Sequence, residues 1–123
     1  MKPQQKKLDN LFSEYIRKRA MQRVDGCERC HTSKMSYKDL QTAHFHSRKK
    51  LTTRWHELNS VGLCGGCHMY LDSHPQEKID FFKELLGEEY DKLYILANMT
   101  TKQSPIDYNL LEIYFKQLLK EAE

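Results

Sequence analysis

Between Gln5 and Gln22, apolar residues recur at steps of three and four: Leu8, Leu11, Phe12, Tyr15, Ile16 and Ala20. That period predicts an amphipathic helix, with Lys6, Lys7, Arg17, Lys18 and Arg23 available for its wet face. Asp25-Gly26 ends it. The stretch 31–39 is short and polar and reads as a turn. Leu40 to Arg48, LQTAHFHSR, reads as a strand or β-ribbon limb, and if it is extended His44 and His46 share one face. Residues 49–63 read as a loop with a short helical or extended segment at 51–58. A helix can begin at Cys67, with His68 and Asp72 one turn apart on one side. Three more helices follow. One runs from about Pro75 to Leu86, with proline in its first turn and Gly87 as cap, and a second from about Glu88 to Met99. The third starts after Ser104-Pro105 and carries Leu110, Leu111, Tyr114, Phe115, Leu118 and Leu119. Tyr108, Tyr114 and Phe115 read as core or partner surface.

Composition changes this picture by making the core small. Of 123 residues, 39% are hydrophobic and 30% charged, so one domain is expected and a metal staple would help it. Two Cys-x-x-Cys pairs, Cys27/Cys30 and Cys64/Cys67, use all four cysteines and have 33 residues between them. A two-residue spacer lets both sulfurs of a pair face one ion, so a structural tetrahedral Zn²⁺ is expected, in preference to disulfides. His31 is a spare neighbour of the first pair. The opening MKPQQKKLDN has no apolar signal core and no stretch is long enough to span a bilayer, so a reducing cytoplasmic location and no membrane contact are expected.

Charge adds a direction. Residues 1–54 hold 14 Lys/Arg against 5 Asp/Glu, a net of +9, while residues 55–123 hold 6 against 12, a net of −6. A basic half carrying the zinc pairs points to nucleic acid, with a solvated helix face as the plainer alternative. Arg48, Lys49, Lys50 and Arg54 form the candidate phosphate-binding cluster. Trp55 reads as core before it reads as a base-stacking platform.

Between and after the cysteine pairs the order His44, Asn59, His68 leaves 14 and then 8 residues intervening. Here the chain resembles the HNH (ββα-metal) nuclease superfamily in its variant with flanking cysteine pairs. More narrowly, KLDNLFSEYIRKR, LQTAHFHSR and TTRWHELNSVGLCGGC resemble the bacteriophage recombination endonuclease family known as NinG or Rap. The resemblance implies an α+β, mostly helical fold: one domain over 1–123, with an N-terminal helix at 1–23, a zinc-bound HNH core at 24–74 and a helical extension at 75–123. It implies a DNA endonuclease that hydrolyses phosphodiester bonds, on duplex or on branched recombination intermediates, in a phage-infected or lysogenic host cell, with a homodimer as its simplest assembly. His44 would be the general base, Asn59 would pin the loop that orients it, and His68 would hold a catalytic Mg²⁺ or Mn²⁺. Many members carry a metal-binding Asp or His just before the base, and here that residue is Ala43. Asp72 is the best substitute ligand, with His46 and His74 next. The alternatives are a catalytically decayed zinc module that binds DNA or a recombination partner, and a zinc-ribbon interaction domain whose histidines are incidental.

Overall fold

A computed structural model describes residues 2–122. Helix α1 spans Pro3–Val24 and so extends past both ends of its apolar stripe. Pro3 sits in its first turn, where the missing N–H costs nothing, and Asp25, at φ 56°, closes the other end by donating its N–H to the Met21 carbonyl. Leu8, Phe12, Ile16 and Ala20 are wholly buried, one every four residues, and they make the seam along which everything else packs.

Strand β1 is Gln41–His44 and pairs antiparallel with β2, Ser60–Leu63, so that Thr42 faces Gly62 and His44 faces Ser60. Residues 60–63, expected as loop, form this second strand. All four β2 residues are buried, so SVGL lacks the polar alternation that marks a half-exposed strand. Its free edge is also taken: Gly62 N–H donates to Glu28 Oε2 (2.7 Å), and Glu28 N–H donates to the Gly62 carbonyl (3.0 Å). Gly62 is glycine for a local reason, since a Cβ there would lie 2.7 Å from Cβ of Ala20 on α1. The predicted limb through Arg48 stops at His44, where Asn59 captures the backbone that follows.

Helix α2 is a single turn, Leu51–Arg54, and α3, Gly65–Ser73, starts two residues before Cys67 because Cys64 Sγ caps it by accepting from Cys67 N–H (3.4 Å). Helix α4, Pro75–Leu86, has the bounds read from the sequence. Helix α5 is Glu89–Ala97, and α6 is Tyr108–Glu121, capped by Asp107. The fold is thus α+β and mostly helical with a two-stranded sheet. Its two apolar clusters both use α1. Ala20 joins Ala43, Val61, Leu63, Leu71 and Phe82 near the cysteines, while Leu8, Phe12 and Ile16 join Trp55 and Phe115. Among the described residues no helix is long and apolar enough to cross a membrane.

Candidate functional site

The cysteine centre is built by two tight knuckles. In the first, a Cβ on Gly26 would lie 2.0 Å from the Thr32 carbonyl oxygen, so only glycine lets the chain fold back. His31, at φ 60°, completes the reversal by donating its N–H to the Cys27 carbonyl (2.9 Å). The second knuckle runs directly into α3. The four sulfurs lie within 4.8 Å of one another, and Cys30 and Cys64 Sγ are 3.9 Å apart. A zinc tetrahedron with bonds of about 2.3 Å has edges of about 3.8 Å, so the donor set fits a structural metal ion. Arg29 reaches Cys67 Sγ (3.3 Å), and its guanidinium sits 4.6 Å from the Tyr70 ring, placing a positive charge beside the thiolates. The Thr32 hydroxyl holds the Cys30 thiol down to about 6, whereas burial pushes Cys67 up to about 12. A divalent ion offsets that second cost by replacing the proton.

A separate groove of about 440 Å³ opens beside the sheet. Helix α1 contributes Asp9 and Ser13, β1 contributes Thr42 and His44, and α3 contributes His68 and Asp72, with Arg48 and Lys78 at its margins. Ser13 and Thr42 hydroxyls are 2.8 Å apart and tie α1 to β1. The His44 ring packs against Phe12, and its Nε2–H donates to the Arg54 carbonyl (3.1 Å). That bond puts the hydrogen on Nε2 and leaves Nδ1 with a lone pair and no hydrogen-bond partner among the described residues. Burial holds the His44 pKa below its ordinary value, with Arg48 and Arg54 acting the same way against the opposing Arg54 carbonyl and Asp9. The imidazole is therefore neutral at neutral pH.

Across the groove, His68 Nδ1–H donates to Gln41 Oε1 (2.8 Å), which turns Nε2 toward Asp72 Oδ2, 3.4 Å away. Lys78 Nζ holds the other Asp72 oxygen at 2.9 Å. Asn59 is fully buried. Its Oδ1 accepts from His46 N–H (2.8 Å), its Nδ2 donates to the His46 carbonyl (3.0 Å), and its own carbonyl accepts from Phe45 N–H (2.8 Å). It clamps the exit of β1 from both sides.

The geometry gathers His44, His68, Asp72 and Arg48 from the expected set and disperses others. His46 is corrected: the chain turns after His44, so the His46 ring packs on Phe45 and Tyr94 (4.6 and 5.9 Å between centroids) and leaves the His44 face. Arg54 is corrected as a surface phosphate contact, since it is buried and chelates Asp9 through Nε (3.0 Å) and Nη2 (2.6 Å). His74 stacks on Tyr70, 4.0 Å between centroids, away from the groove. Lys49 and Lys50 are exposed. Trp55 is core, as read, and donates Nε1–H to Asp9 (2.9 Å). Ala43 lies on the sheet face opposite His44, 1% exposed among apolar side chains, so a carboxylate there would not reach the groove. Sequence reasoning missed Asp9, Gln41 and Lys78. For Asp9 the one available signal is an acid immediately after the buried stripe residue Leu8, just past Lys6 and Lys7. No family model, curated protein or solved structure matches the chain.

Proposed function

We propose that this protein is a metal-dependent DNA endonuclease of the HNH type. The observation that carries the reading is His44, neutral, with Nε2–H spent on the Arg54 carbonyl and Nδ1 left as a base in a polar groove opposite His68 and Asp72. In phosphodiester hydrolysis Nδ1 takes a proton from water while the water oxygen forms its bond to phosphorus and the bond from phosphorus to the leaving oxygen breaks. His68 and Asp72 would hold a divalent cation, Mg²⁺ or Mn²⁺, which when bound supplies charge stabilisation to the phosphate and leaving oxygen. Gln41 fixes the His68 tautomer, Asn59 fixes the turn beyond the base, and Arg48, 60% exposed at the groove margin, is the cation nearest to hand for the phosphate. The element order β1, β2, α3, with His44 on the first strand, Asn59 immediately before the second and His68 on the helix, supports the HNH assignment. The likeness of the segments quoted above to the phage recombination family supports branched DNA as substrate.

Plasmid DNA and synthetic four-way junctions incubated with the zinc-loaded protein and Mg²⁺ or Mn²⁺ test this. Cleavage is expected, and His44→Ala should reduce it by about 10²–10⁴-fold with zinc content unchanged. Undiminished cleavage by that variant, or none by wild type, overturns the reading. The second reading, a DNA-binding zinc module without chemistry, is favoured by one observation: His68 and Asp72 make only a two-donor pair, and Lys78 already engages Asp72. That reading expects salt-sensitive DNA binding and one metal per chain, against one zinc plus one exchangeable divalent ion for the nuclease.

A further inference from the structure

The carboxylate of Asp9 belongs to the N-terminal helix, far in sequence from every histidine, yet it is the most heavily bonded side chain at the groove. Its Oδ1 accepts from Arg54 Nε (3.0 Å) and Trp55 Nε1 (2.9 Å), its Oδ2 accepts from Arg54 Nη2 (2.6 Å), and Arg48 Nη1 stands 4.0 Å from the same oxygen. The Arg54 guanidinium also donates through Nη1 to the Arg48 carbonyl (3.3 Å). One carboxylate therefore ties α1 to both ends of the segment 48–55. The main-chain carbonyl that receives His44 Nε2–H is that of Arg54 itself.

We infer that Asp9 is a positioning residue for His44, fixing through the Arg54 fork the carbonyl that selects the Nε2–H tautomer and leaves Nδ1 as the base. A planar guanidinium chelated at two points and bonded at a third has little rotational freedom, so its own backbone is held with it. Helix α2 is a single turn and could not hold that carbonyl alone. The seat of Asp9 is in turn rigid, because neighbouring Leu8 and Phe12 are buried and Ser13 is bonded to Thr42 on β1. Without the fork, the Arg54 carbonyl drifts, His44 exchanges between tautomers, and the fraction with a free Nδ1 falls. The catalytic consequence rests on the reading of His44 as general base; the tautomer consequence does not.

The test is ¹⁵N–¹H correlation of the histidine rings in the zinc-loaded full chain near pH 7.5, which reads the tautomer directly, paired with single-turnover cleavage of DNA. Wild type is expected to show His44 as the Nε2–H form. Asp9→Asn, which keeps the size and one acceptor, should give a mixed tautomer and a saturating single-turnover rate lower by about 10–10²-fold, with the half-saturating concentration little changed. Arg54→Lys keeps the charge and loses the fork, and should reproduce the same mixture; combined with Asp9→Asn it should change the His44 tautomer by much less than the two single effects summed, because both break the Asp9–Arg54 fork. Trp55→Phe removes only the third bond and should leave His44 as in wild type. If Asp9→Asn fails to hold zinc and near-ultraviolet ellipticity, Arg54→Lys decides. An unmixed Nε2–H signal in a folded Asp9→Asn or Arg54→Lys protein, or an Nδ1–H signal in wild type, overturns the inference. Absence of cleavage by wild type overturns the nuclease reading alone, and the tautomer comparison still stands.

Discussion

Cys67 and His68 are consecutive residues on α3, yet they belong to two constructions that have little in common. The cysteine centre is closed and local: two knuckles bring four identical soft ligands within 4.8 Å, and each knuckle is tied mainly to itself. The groove is open and assembled at long range, with α1, β1, the segment 48–55 and α3 each supplying one part. The first offers a donor set that a structural metal ion would lock. The second exists only once these distant segments are folded together. Damage to the cysteines should therefore remove both regions, whereas damage to the groove should leave the cysteines intact.

The largest effect that can break this comparison is loss of the metal. Stripping zinc with a strong chelator, or Cys67→Ser, should abolish the tertiary structure. Structural zinc contributes about 10–16 kcal/mol in small modules, as much as the whole stability of a typical domain. Near-ultraviolet circular dichroism and the emission of buried Trp55, followed against zinc release, should collapse together. A chelated protein that keeps its native spectrum would show that the apolar clusters alone hold the fold. His68→Ala is the matched control on the next residue and should retain both zinc and spectrum.

Asn59 comes next, because it is the groove's own structural part. Asn59→Ala removes two side-chain bonds to the His46 backbone from a fully buried site. Leaving those groups unpaired, with a cavity beside them, should cost about 3 kcal/mol. The melting temperature should fall with zinc stoichiometry unchanged at low temperature. A shift too small to resolve would mean that the turn after β1 holds itself.

The same contrast decides what could be read in advance. Spacing announced the cysteine centre, since a Cys-x-x-Cys pair carries its geometry within four residues. The amphipathic period announced α1, and proline and glycine punctuation announced α4 at its true bounds. Strand β2 was hidden because burial on every side leaves SVGL without alternation. His46 leaves the expected face because the turn after His44 is held by Asn59, 13 positions beyond His46. Arg54 reads as part of a phosphate-binding cluster because its partner Asp9 lies 45 positions away on another helix. Ala43 looked like a missing ligand only while the face it occupies was unknown. What the sequence concealed in each case was a pairing between distant segments.

Gly62 tests how tightly those distant segments are joined. Gly62→Ala would set a methyl group 2.7 Å from Ala20 Cβ and press α1 away from the sheet. Overpacking of this kind costs about 1–3 kcal/mol. Because α1 also carries Asp9 and Ser13, cleavage should fall while zinc content holds. Ala20→Gly in the same chain should restore part of the loss, giving a measurable coupling in a double-mutant cycle. Two additive effects would mean that α1 is not seated on Gly62.

The smallest expected effect is the dependence on acid, and it separates the two regions by which groups titrate. Burial is the leading cause that lowers the pKa of His44, His46 and His56. The unfolded chain binds these protons first, near the ordinary value of about 6.5. Their stabilising contribution is thus complete above that value and is lost as pH falls through the lower folded values. A urea series between pH 7.5 and 5.5 should show stability declining with acid. His46 is the informative member, since its Nε2 is buried without a hydrogen-bond partner among the described residues and only Lys50 joins burial in shifting it. His46→Phe should make the decline with acid shallower while keeping the contacts with Phe45 and Tyr94. Zinc release, followed with a colorimetric chelator in the same samples, gives the separate contribution of the thiolates. An unchanged slope in His46→Phe would remove His46 from the acid-sensitive set and leave the decline to His44, His56 and the thiolates.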